Sequence, residues 1–150
     1  MRIGELAASV GKGLFAGLAG TAVMTVSSTL EANLSGRDAS SMPADALSAA
    51  LGVRPDSDTA WQRLNIVAHW GYGTAWGAVR GLIGAMGLRG PAAGVLHFAT
   101  VWGGEQAVLP SLGVGSPTPQ YGAAATATDV FHHVVYAAAT SAAYEWLDRY

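Results

Sequence analysis

Apolar positions in this chain come in long unbroken runs, without the strict alternation of a half-buried strand or the narrow stripe of an amphipathic surface helix. Residues 13–30 carry no charged side chain. A second run over 64–88 is broken by Arg80 alone and a third over 91–112 by Glu105, while a fourth over 123–147 is alanine-rich and holds Asp129, His132 and His133. A helix needs about 20 predominantly apolar residues to cross a hydrocarbon core, and each run is near or above that length. The pattern therefore predicts an all-α protein, a four-helix transmembrane bundle with helices near 12–31, 64–88, 91–112 and 123–147. The whole chain reads as one integral membrane domain.

The connection between the first two runs is rich in Ser, Asp, Gly and Pro, yet it contains a short helical pattern. Pro43 suits a first turn, Ser40 or Ser41 a cap, and Leu47, Ala50 and Leu51 recur on one face. This predicts a short interfacial helix in the first outer loop, lying along the membrane surface. Between the third and fourth runs, the glycines and prolines of residues 113–121 predict a tight extended turn.

Composition strengthens the membrane reading, because 51% of residues are hydrophobic and only 12% charged, about half the usual share of charge. Such a chain has too few charges for an ordinary soluble surface. A soluble bundle of buried alanine-rich helices is the competing architecture. A signal peptide competes for the first run alone, against which stand Glu5 in the leader and three further apolar segments. The absence of cysteine removes disulfides, thiolate metal sites and cysteine nucleophiles. A net charge of −2 without any basic stripe excludes a nucleic-acid partner and leaves the lipid bilayer as the expected one. Arg2, Lys12, Arg89 and Arg149 flank one side, whereas Arg37, Arg54 and Arg63 lie among Asp38, Asp45, Asp56 and Asp58, a bias that places both termini in the cytoplasm. Trp61, Trp70 and Tyr72 at one end, and Trp146 with Tyr150 at the other, read as interfacial anchors. Arg80 is expected to snorkel toward the inner headgroups.

Small residues mark the expected helix contacts. Gly13 and Gly17 share a face of the first helix, and Gly73, Gly77 and Gly81 share a face of the second. Such faces close a bundle or offer a seam to a second copy or a membrane partner.

Ionisable side chains inside bilayer-spanning helices are costly and are functional candidates by default. With alternating helix direction, His69, Glu105, Asp129 and His132 fall in one layer, roughly 4–10 Å outside the midplane, and His133 adjoins them. Asp129, His132 and His133 stand at i, i+3 and i+4, so at least two share a face. Three readings follow from such a cluster: a hydrogen-bonded network that fixes helix register, a proton or ion relay, or a site for a metal ion or haem. His97 lies on a different layer and reads as a lone core histidine. No phosphate loop, dinucleotide fingerprint, zinc-protease helix or nucleophile elbow occurs, so no enzyme class is indicated.

Leu109-Pro110-Ser111-Leu112-Gly113, then Pro117 and Pro119, then Asp129-Val130-Phe131-His132-His133-Val134-Val135-Tyr136 form an ordered set of features over about the last sixty residues. This order resembles the YagU-like bacterial inner-membrane family. The resemblance implies a bacterial inner-membrane location and carries over Asp129, where the family tends to have Glu, and His133, which matches its His. Glu105 departs from the histidine expected near its position.

Overall fold

The computed structural model describes residues 2–38 and 40–149. Among these the chain is all-α: α1 spans Ile3–Ser35, α2 Met42–Leu51, α3 Asp58–Ala85, α4 Gly90–Ser111 and α5 Ala123–Leu147, with one 3-10 turn at Thr118–Tyr121.

α1 and α3 begin earlier than their apolar runs, because capping chemistry and not hydropathy sets where a helix starts. At α1 the Arg2 backbone N–H donates to Glu5 Oε2 at 3.0 Å while the Arg2 guanidinium meets Oε1 of the same carboxylate. At α3 the Ser57 hydroxyl accepts the N–H of Ala60 at 3.3 Å. α1 stops at Gly36 and α2 at Gly52, both with φ of 66°, the left-handed conformation that glycine adopts without a Cβ penalty. The predicted short helix is present as α2, with Pro43 in its first turn. It is tied to α3 through Asn65, which accepts from Ala44 N at 3.0 Å and donates to Ser40 O at 2.9 Å. α5 coincides with its predicted run.

The four long helices run alternately up and down as a ring in the order α1, α3, α4, α5. Both ends of the chain consequently meet at one end of the bundle, where Lys12 and Arg89 each reach Asp148 at 3.2 Å. At the α1–α3 seam the backbones nearly touch. A Cβ placed on Gly17 would lie 2.7 Å from the Gly77 Cα, and one on Gly81 would collide with the Ser9 backbone. The Gly73, Gly77 and Gly81 face is thus filled by α1 of the same chain, and the contact that the sequence offers to a second chain is made internally.

The core mixes small apolar residues with buried polar ones, while many large apolar side chains face outward. Arg80 and His97 are 0% exposed and Thr21, Thr140, His132 and Ser141 are also buried, whereas Phe15 is 72% and Val95 67% exposed, with Val26, Ile66, Val67 and Phe131 also outward. Among the described residues, α1 is the one helix long and apolar enough to cross a membrane by length and composition. The expectation of four such segments meets that criterion at α1 alone, because Arg80 and His69 in α3, His97, Glu105 and Gln106 in α4, and Asp129, His132, His133 and Glu145 in α5 lower the hydropathy of those helices.

Candidate functional site

Asp129 and His133 stand one turn apart on α5 and share a face toward α4, where Glu105 meets them. The His133 Nε2 lies 2.8 Å from Glu105 Oε2, and its Nδ1 lies 3.3 Å from Asp129 Oδ1. Nδ1 also faces the Asp129 backbone carbonyl at 2.9 Å. The other Asp129 oxygen accepts the indole N–H of Trp102 at 2.7 Å, a tryptophan three residues before Glu105 on the same helix. The three side chains are mostly enclosed, His133 the most so at 12% exposed.

These contacts fix the placement of protons from partner chemistry alone. Both neighbours of His133 Nδ1 are oxygen acceptors, so Nδ1 carries a hydrogen. Asp129 accepts from the imidazole on one oxygen and from the indole on the other, so it acts as an ionised acceptor. The remaining contact, His133 Nε2 to Glu105, is satisfied in either of two ways: an imidazolium donates to a carboxylate, or a carboxyl donates to a neutral imidazole. The contact therefore needs one proton, which the chemistry of either partner can supply.

The other two members of the predicted cluster are elsewhere, which corrects the five-residue grouping of His69, Glu105, Asp129, His132 and His133. Successive residues of a helix diverge by about 100°, so His132 turns away from His133 and packs against α1. There the Ser27 hydroxyl bonds its Nδ1 at 2.8 Å, and its Nε2 lies 3.7 Å from Glu31. His69 also faces α1, with Nε2 2.9 Å from the Thr25 hydroxyl. Depth along the helices placed these residues in one layer, but depth carries no information about direction around the axis. Glu31 additionally pairs with Arg37 at the helix end.

Arg80 also differs from expectation. It turns inward, donating from Nε to Ser141 at 3.2 Å and from Nη2 to Glu145 at 3.3 Å, with its guanidinium 4.4 Å from the centre of the Tyr144 ring. Two partners spaced four apart on α5, with Tyr144 beside them, hold the guanidinium in the interior. His97 is a core residue with a specific contact, its Nε2 3.1 Å from the Trp76 carbonyl and its ring 5.6 Å from that of Tyr136. The Tyr136 hydroxyl in turn donates to the Gly73 carbonyl at 2.6 Å. Sequence reasoning missed Trp102, Ser141 and Glu145 as partners; the i, i+3 spacing of Trp102 to Glu105 and the i, i+4 spacing of Ser141 to Glu145 were the signals available. Of the expected anchors, Trp146 is exposed near the C-terminal end of α5, and Tyr150 lies outside the described residues.

Comparison with protein-family models, curated proteins and solved structures finds no match to the chain.

Proposed function

We propose that the chain is a small integral membrane protein whose four long helices all span the bilayer, and that Glu105 and His133 exchange a proton during movement of protons or of a proton-coupled small solute. The carrying observation is the His133 ring held between two carboxylates from two helices, with one proton shared at the 2.8 Å contact to Glu105. A buried group that exists in two protonation states of similar geometry is what a relay needs. The outward Phe, Val and Leu side chains support the membrane setting, where they would meet lipid while the buried Arg, His and Thr face the bundle interior. The order of features shared with the YagU-like family and the Lys and Arg bias support a bacterial inner-membrane location with both termini in the cytoplasm. α2 then lies along the outer surface.

A metal ion is the second reading, favoured by one fact: donor atoms of Glu105, Asp129 and His133 all lie within 4.8 Å of one another. Against it, Asp129 and Glu105 face different nitrogens of the same ring, whose lone pairs diverge, whereas ligands of one ion must converge on a point. Elemental analysis of protein purified after metal-replete growth decides between them, with stoichiometric metal favouring the second reading.

Purified protein in proteoliposomes, carrying a pH-sensitive dye, tests the first. The unmodified chain is expected to pass protons down an imposed gradient, and Glu105→Gln to reduce the rate to that of empty vesicles while retaining helical content. A rate unaltered by Glu105→Gln rejects the relay.

A further inference from the structure

Toward the end of the bundle that holds both termini, α4 and α5 leave a groove of about 420 Å³ between them, walled by Gly94, Val95 and Phe98 on one side and Val134, Ala138 and Ala142 on the other. Small residues open it without drawing the backbones together. A Cβ on Gly94 would meet Ser141 Oγ at 3.4 Å, an ordinary contact, whereas the same addition at the α1–α3 seam collides with backbone. From Gly90 to Phe98 the groove runs about 12 Å along α4 at the helical rise. Its lining is apolar except for Ser141 and Glu145, and Glu145 stands at the mouth with Gly90, two residues before the end of α5. Both protein partners of that carboxylate use the same oxygen: Oε1 accepts from Arg80, which approaches from inside the bundle, at 3.3 Å and from the Gly90 N–H at 2.7 Å. Among the described residues no bond falls on Oε2, and the side chain is 37% exposed. Beside the mouth, the Arg89 side chain is 73% exposed and meets Asp148 through Nη2, which leaves its remaining donors to the surface.

We propose that the groove between α4 and α5 holds an acyl chain of one phosphatidylethanolamine molecule, with the lipid's ammonium on Glu145 and its phosphate on Arg89. The inference rests on the membrane reading above. Charged groups stand at the end of the bundle and apolar ones line the way toward its middle, which is the order of groups along a phospholipid. An acyl chain fills the apolar length and gives Val95, Phe98 and Val134 the packing partners that the groove withholds. The headgroup follows from the charges at the mouth. An ethanolamine head brings a cation to Glu145 and an anion to Arg89 at once. A head that is only anionic suits Arg89 but repels Glu145 and offers its Oε2 no cation. A choline head carries the right charges, yet its nitrogen bears methyl groups in place of hydrogens and cannot donate to Oε2, whereas an ammonium can.

Native mass spectrometry tests the site. Released from nanodiscs of equal parts phosphatidylethanolamine, phosphatidylcholine and phosphatidylglycerol, the unmodified chain should retain one ethanolamine lipid about tenfold more often than either of the others. Retention should fall stepwise when the ethanolamine lipid is exchanged for its mono-, di- and trimethylated forms, a series that leaves the protein untouched. Equal retention across headgroups overturns the proposal, and so does a dimer that carries no lipid. Ala138→Leu, at an exposed position of the groove wall, should displace the lipid while the thermal unfolding midpoint in detergent stays close to that of the unmodified chain; undiminished retention overturns the groove as its place. Arg89→Gln should lower retention of all three lipids, and Glu145→Gln should erase the preference among them. A chain that stays soluble and monodisperse without detergent or lipid overturns the membrane reading itself, whereas a membrane-embedded chain without headgroup preference overturns the lipid site alone.

Discussion

Where α1 meets α3, backbone faces backbone: Gly13 and Gly17 lie against Gly77 and Gly81, and at Gly73 the Thr21 side chain fills the notch. Where α4 meets α5, contact is made through functional groups, with Trp102 and Glu105 on one helix reaching Asp129 and His133 on the other. In lipid there is no hydrophobic force to press helices together, so close van der Waals approach and interhelical hydrogen bonds must do it. One seam relies chiefly on the first, with the Thr25–His69 hydrogen bond added at one end, and the other relies chiefly on the second. The first gains from being rigid and dry. The second sets an imidazole between two carboxyl groups, which the first has no means to hold.

The seams should therefore fail in different ways. The largest stability effect is expected at the glycines: Gly77→Leu drives a side chain into the Gly13 and Gly17 backbone and should cost about 3 kcal/mol or abolish folding, whereas Gly71→Ala, where a Cβ meets nothing, should be close to neutral. Thermal unfolding in detergent measures both. Similar losses at Gly71 and Gly77 would break the claim that the seam is shaped by contact.

Next comes Arg80→Met, which leaves Glu145 without its cation at a position 37% exposed and should cost about 2 kcal/mol, less than a fully buried pair because water reaches the carboxylate. Denaturant unfolding checks it, and a gain in stability would mean that Arg80 is not held as described. At the α4–α5 seam, Asp129→Asn still accepts from the Trp102 indole but offers no charge to His133, so the expected loss is about 1 kcal/mol. The same substitution should remove proton flux almost entirely, so that function and stability separate at this seam and fall together at the other. The smallest effect belongs to Lys12→Ala at the partly exposed pair with Asp148, where about 0.5 kcal/mol or less is expected and added salt should hide it.

How much of this was legible beforehand follows from what each signal measures. The bounds of α5 were readable because its apolar run begins just after a glycine and ends at Asp148. The starts of α1 and α3 were not, since Arg2 with Glu5 and Ser57 with Ala60 extend the helices through polar residues that hydropathy discards. Asp129, His133 and Glu105 were found by their charge in apolar surroundings, but the i, i+3 and i+4 spacings left open whether His132 or His133 shares the face of Asp129. His69 and His132 were grouped with them because they share a depth, yet they point at Thr25 and Ser27 on α1. Direction around a helix becomes readable only when the neighbours are known. Arg80 teaches the same lesson, since the residues that hold it inward sit on α5, more than sixty positions away in the chain.

Selective ¹⁵N labelling of histidine, with His133 assigned by substitution and its ring observed in bilayers across a pH series, bears most directly on the shared proton. The account predicts that Nδ1 carries hydrogen at every pH at which the bundle is folded, while Nε2 alone moves between its protonated and unprotonated signals. Loss of hydrogen from Nδ1, or an Nε2 signal that never moves while the bundle stays folded, would contradict it.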